Sequence, residues 1–108
     1  MNKEIKDKWV KALRSGEYKQ GRLYLQRDNL FCCLGVLCKV LDVPNIVSDY
    51  KHNTIAFNFG NEYSHVGLPT TFRQNIELSA IEEGVLINMN DKLGKNFSQI
   101  ADYIEENL

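Results

Sequence analysis

Along the first fifteen residues apolar side chains recur at Ile5, Trp9, Ala12 and Leu13, at i, i+4, i+7 and i+8, with lysines between them. That period predicts an amphipathic first helix laid on a core, ended by Gly16 just after Arg14 and Ser15. Between Gly21 and Cys32, Leu23, Leu25, Leu30 and Phe31 surround the turn-prone Arg27, Asp28 and Asn29, which predicts a short hairpin. Leu34, Val36, Leu37, Val40 and Leu41, with Cys33 and Cys38, then form the most apolar stretch. It closes at Asp42 to Pro44, where proline forbids continuation, and predicts a buried central helix. Gly35 inside it costs about 1 kcal/mol of helix propensity, a cost accepted where another backbone must come close.

From Ile46 to Val66 the period changes. Thr54 to Phe59 alternates apolar and polar, and with Tyr63 to Val66 it predicts a second hairpin turning at Gly60 and Asn61. Pro69 precedes a short helix carrying Phe72, Ile76 and Leu78. Ser79 and Glu82 have the spacing of a capping box, followed by Ile81, Val85, Leu86 and Met89 as an apolar face. After Gly94, either Asn96 or Ser98 caps a last helix whose stripe is Phe97, Ile100, Ala101, Ile104 and Leu108. No linker, repeat or low-complexity stretch divides the chain. The expectation is one small α+β domain over residues 1–108, with amphipathic helices at both ends and a buried central helix packed with short antiparallel hairpins.

Composition changes this picture little. Of 108 residues, 44% are hydrophobic and 25% charged, ordinary globular usage that excludes disordered and fibrous classes. No run approaches the ~18 apolar residues of a membrane span, and the opening MNKEIKDKWV is charged where a signal peptide turns apolar. A cytoplasmic location without a membrane partner is expected. The three cysteines, Cys32, Cys33 and Cys38, are odd in number and partly adjacent, a pattern of reduced thiols rather than a disulfide framework.

Charge is more informative in its distribution than in its sum of minus 1. Residues 1–50 carry nine Lys/Arg against six Asp/Glu, a net of plus 3, and residues 51–108 carry four against eight, a net of minus 4. The positive excess concentrates in the first 27 residues, and Tyr18, Tyr24 and Phe31 interleave with Lys19, Arg22 and Arg27. Such a segment suits an anion, an acidic partner or nucleic acid, although a solvated helix face has the same composition.

Catalytic signals are thin. A nucleophilic cysteine needs an electropositive, partly exposed setting and a base, and His52 and His65 are the only histidines. Zinc ligation by Cys32, Cys33 and Cys38 lacks the two-residue gap that lets paired thiolates chelate one ion. Glu82–Glu83 and Glu105–Glu106 read as solvated neighbours rather than an acid–base pair, and no phosphate-binding glycine loop or nucleophile elbow is present. No metal, cofactor or catalytic residue is expected. Instead the polar junction Arg14 to Arg22 combines a planar guanidinium (Arg14, Arg22), a flat aromatic (Tyr18) and an amide (Gln20), a mix suited to a nucleotide-type ligand. Asn90 and Asp91, before Gly94, form a second polar cluster that either completes a pocket or makes the turn. The candidate ligand-binding set is Arg14, Tyr18, Gln20, Arg22, Asn90 and Asp91.

The strings Trp9-Val10-Lys11-Ala12-Leu13-Arg14-Ser15-Gly16-Glu17-Tyr18-Lys19-Gln20-Gly21 and Phe31-Cys32-Cys33-Leu34-Gly35-Val36-Leu37-Cys38, with Asn90-Asp91, Gly94, Phe97, Ile100-Ala101 and Ile104, resemble a family of small phage and prophage proteins. The resemblance covers both ends and the central helix and leaves residues 42–78 unmatched. It implies an accessory protein that acts without catalysis, by occupying a host defence protein or by sequestering a nucleotide immune signal. For a binder of this kind a homodimer is the expected form. The alternatives left open by the residues are a nucleic-acid-binding regulator using the basic first 27 residues and a cysteine-dependent enzyme.

Overall fold

A computed structural model describes residues 1–108. Helix α1 spans Lys3–Arg14, and the Asn2 side chain caps it by accepting from the Ile5 N–H at 3.0 Å. Trp9, Val10 and Leu13 are buried, and Ile5 and Ala12 pack at the margin of the core. The Trp9 indole N–H donates to the Cys33 carbonyl at 2.9 Å, so its one polar atom is satisfied inside the core. Gly16, at φ +78°, takes the left-handed position that stops the helix.

The first hairpin is small: β1, Gln26–Arg27, pairs antiparallel with β2, Leu30–Phe31. Asp28 and Asn29 between them both have positive φ, the geometry of a type I′ turn, which only a few residue types reach without strain. Helix α2 follows at Cys33–Val40, and every residue from Cys33 to Cys38 is buried. A Cβ at Gly35 would lie 1.7 Å from the carbonyl oxygen of Leu25. The glycine is therefore the notch that lets the hairpin strand close onto the helix.

The middle of the chain departs from the expected single hairpin. Asn45–Asp49 (β3), Thr54–Asn58 (β4) and Tyr63–Ser64 (β5) form one antiparallel sheet in the order β3-β4-β5. The predicted β4–β5 turn is present, but β3 was not anticipated, because its exposed residues, Asn45, Ile46 and Ser48 among them, show no clean alternation. The middle strand β4 buries Thr54, Ile55, Ala56 and Phe57 in succession rather than every second residue, so both of its faces are covered. The Leu25 N–H bonds to the His65 carbonyl at 2.9 Å and ties the first hairpin to the end of this sheet.

Three helices complete the fold: α3, Thr70–Asn75; α4, Ala80–Asp91; and α5, Phe97–Asn107. Both bonds of the Ser79–Glu82 capping box form, at 3.0 Å each. Asn96, not Ser98, caps α5, with Gln99 closing a second box. Phe97, Ile100, Ala101 and Ile104 are buried as the stripe predicts. In α4 the expected face is rotated: Ile81 is 81% exposed, and the fully buried positions are Leu86 and Asn90. A polar residue in a core position is invisible to an apolar pattern, which is why the sequence misplaced this face. Between α3 and α4, Arg73 and Glu83 form a largely buried ion pair at 3.6 Å. The result is an α+β domain whose core is shared by α1, α2, α4, α5 and β4. No helix is long and apolar enough to cross a membrane.

Candidate functional site

The junction after α1 and the turn after α4 come together through Asn90. Its Oδ1 accepts from Gln20 Nε2 at 2.8 Å and from the Cys33 N–H at 3.3 Å. Its Nδ2 donates to the Gly21 carbonyl at 2.9 Å and to Asp91 Oδ1 at 2.8 Å. Both amide atoms are thus doubly used, and a side chain 1% exposed has no unmet polar demand. Gln20 Nε2 also donates to the Lys95 carbonyl at 2.8 Å, pinning the turn that follows α4 to the junction that follows α1.

Asp91 Oδ1 accepts a further bond from the Leu23 N–H at 3.1 Å. Leu23 sits at φ +72°, and the Tyr24 N–H bonds to the Arg22 carbonyl at 2.9 Å across it. This is a γ-turn with positive φ at its centre, the strained form of that turn, and for a leucine the strain is greater than for glycine. The Asn90–Asp91 pair holds it in place.

Around this framework lies a cleft of about 200 Å³, with Gln20, Gly21 and Arg22 on one side, Gly94, Lys95 and Asn96 on the other, and Asn90 between them. No hydrophobic side chain lines it. The five ion pairs of the molecule use neither Arg22 nor Lys95, so both cationic groups at the cleft lack a counter-ion. A second hollow at the end of α2 is lined by Lys39, Asp42, Val43, Pro44 and Asn45, so its lining holds one cation and one carboxylate.

Of the six residues expected to form a site, Gln20, Arg22 and Asn90 line the cleft, and Asp91 supports its rim. Arg14 and Tyr18 are elsewhere. The Arg14 guanidinium reaches α5, where Nη2 meets Asp102 at 2.7 Å and Nη1 meets Glu105 at 2.9 Å, and these hydrogen bonds raise its pKa. Tyr18 packs edge-on against Phe31, with ring centroids 5.1 Å apart. Both departures have one cause: the sequence places these residues next to Gln20, but the helix end sends their side chains to other partners. Lys95 was missed, because sequence offers a lysine before a helix cap no distinction from any solvated lysine.

The remaining chemistry is as informative. All three cysteines are buried without disulfides. Burial pushes the Cys32 thiol up to about 11 and also raises Cys33 and Cys38 well above the usual thiol value, so the neutral thiol is the dominant form at physiological pH. His65 stacks on Tyr24 at 6.0 Å, and Arg27 lies 4.4 Å from the other partner of that stack, the Tyr24 ring centre. No three His, Cys, Asp or Glu side chains converge as a metal ligand set. On α1, Lys3 and Lys8 pair with Asp7 and Glu4, so with Arg14 three cations of the basic first segment are already partnered.

The family model described as Domain of unknown function (DUF8296) matches residues 1–67, from α1 through β5. The chain belongs to this family. The matched span contains the Gln20–Arg22 side of the cleft and the strained Leu23, and the Asn90 and Lys95 side lies beyond it. No curated protein and no solved structure matches the chain.

Proposed function

We propose that this protein is a non-catalytic binding protein, of the accessory kind that small phage proteins exemplify, whose cleft takes an anionic group of a nucleotide-type ligand. The observation that carries the reading is a wholly polar cleft with two cations, Arg22 and Lys95, that no carboxylate neutralises. Guanidinium and ammonium groups without counter-ions attract phosphate or carboxylate, and the guanidinium adds a bidentate geometry. The three buried, protonated thiols supply no nucleophile, which favours binding over cysteine chemistry. The partnered cations of α1 leave less free positive surface for a nucleic-acid backbone than the sequence count implies.

In this reading the protein acts in the host cytoplasm by sequestering a nucleotide-type signal. The same cleft would accept an acidic side chain of a host defence protein, which is the second reading and rests on the same two cations. Thermal melting against nucleotides, cyclic dinucleotides and ADP-ribose derivatives tests the first, because a ligand that binds only the folded state must raise the melting temperature. A shift that disappears in Arg22→Gln and Lys95→Gln supports the cleft. A panel with no shift sends the reading to a protein target, sought by pull-down with the same two variants as controls.

A further inference from the structure

The cleft's size and rim restrict the ligand further, if the binding reading above holds. About 200 Å³ is below the roughly 300 Å³ at which pockets enclose a whole small molecule, so a nucleotide would not enter entire. A single tetrahedral head group fits. The two uncompensated cations match a charge of minus 2, which a phosphate monoester carries above its second pKa of about 6, whereas a diester carries minus 1 and extends on both sides. Asp91, the carboxylate supporting the rim, is turned to the Leu23 N–H and the Asn90 amide. It does not neutralise Arg22 in an ion pair.

The residues that flank the lining along the chain have a different character from it. Leu23 follows Arg22 on one side and is 64% exposed, and Leu93 precedes Gly94 on the other and is 57% exposed. Leu23 is also the centre of the strained γ-turn, and a conformation of this kind persists only where the surrounding structure holds it. Here Asp91 does so, at the cost of presenting a leucine to water. We propose that the cleft receives the terminal phosphate of a phosphomonoester end-on, while the apolar or aromatic remainder, such as a nucleoside, lies across Leu23 and Leu93.

Calorimetric titration at pH 7.5 distinguishes this from the broader reading. The probes are inorganic phosphate, a nucleoside 5′-monophosphate, the matching 3′,5′-cyclic monophosphate and a cyclic dinucleotide. The 5′-monophosphate is expected to bind at least about tenfold more tightly than the cyclic diester. A charge-assisted contact contributes about 1.5–3 kcal/mol, so Arg22→Gln and Lys95→Gln should each weaken it by about tenfold or more. Leu23→Asn keeps a residue type that tolerates positive φ and removes the apolar lip. It should weaken the monophosphate several-fold and leave inorganic phosphate unchanged. A cyclic diester that binds as well as the monophosphate, and still depends on Arg22 and Lys95, overturns the monoester assignment and leaves the cleft reading standing. Equal binding of the monophosphate by Leu23→Asn and the wild type, with unchanged melting temperature, removes the role of the rim. If no probe binds, or binding ignores Arg22→Gln and Lys95→Gln, both the assignment and the cleft reading fail together.

Discussion

At the scale of single residues, Asn90 joins more of the structure than any catalytic-looking group. Its amide reaches Gln20, Gly21, Cys33 and Asp91, which belong to the junction after α1, the start of α2 and the end of α4. Asn90→Ala would leave the Cys33 N–H and the Gly21 carbonyl without partners, at about 1–3 kcal/mol for each buried group. A loss on the order of 3 kcal/mol in denaturant unfolding is the expected outcome, whereas a loss below about 1 kcal/mol would show that water replaces the amide. The cysteines make a second residue-scale prediction. In the unfolded chain the thiols ionise near 9.0, and in the folded protein burial holds Cys32 neutral up to about 11 and raises the other two as well. Above pH 9 the unfolded state therefore releases protons that the folded state retains, and the cysteine contribution to stability, full below pH 9, declines as pH rises through about 11. Melting temperatures recorded from pH 8 to 11 should fall, and Cys38→Ser or Cys38→Ala should reduce the slope. At pH 7.5 all three thiols should react with a maleimide far more slowly in native protein than in denaturant.

At the scale of elements, the contact between the first hairpin and α2 depends on a missing methyl. Gly35 is poor for the helix, yet the Leu25 carbonyl occupies the space where a Cβ would be. Gly35→Ala should gain about 1 kcal/mol of helix propensity and lose more through the clash, for a net destabilisation of at least about 2 kcal/mol. Circular dichroism during urea unfolding measures the sign, and a stabilised variant would mean that the hairpin is not docked as described. The helix caps and the first hairpin turn were legible beforehand because they are local: Ser79–Glu82 is a spacing rule, and Gly16 and Asp28–Asn29 answer to φ alone. The strand β3 was not legible, since most of its residues are exposed and its place is set by pairing with β4, whose four buried residues in succession mean that both of its faces are covered.

At the scale of the whole molecule, the charge asymmetry of the chain is partly resolved within the fold. The basic first half and acidic second half meet where α1 packs on α5, and Arg14 bridges Asp102 and Glu105 there. Because this contact lies along α5 and away from the cleft at its start, Arg14→Ala should leave ligand affinity at the wild-type value. A loss of binding in that variant, with its melting temperature intact, would return Arg14 to the site. The radius of gyration, 12.7 Å, is that of one compact unit of this length, so α1, α5 and the sheet should unfold in a single transition.

The sequence by itself determined the α+β class, the helices at both ends, the buried CCLGVLC segment, the first hairpin and most caps. These follow from periodicities and turn preferences that act over a few residues. It also marked Gln20, Arg22, Asn90 and Asp91 as polar residues in a suggestive place. Only the tertiary structure decided that Asn90 and Asp91 hold the framework, that Arg14 and Tyr18 turn away, and that Lys95 and Arg22 line one cleft. Such a site joins residues about seventy positions apart. Hydrogen bonds and unpaired charge at that separation leave no periodic trace in a sequence, because their geometry exists only once the core between them has packed.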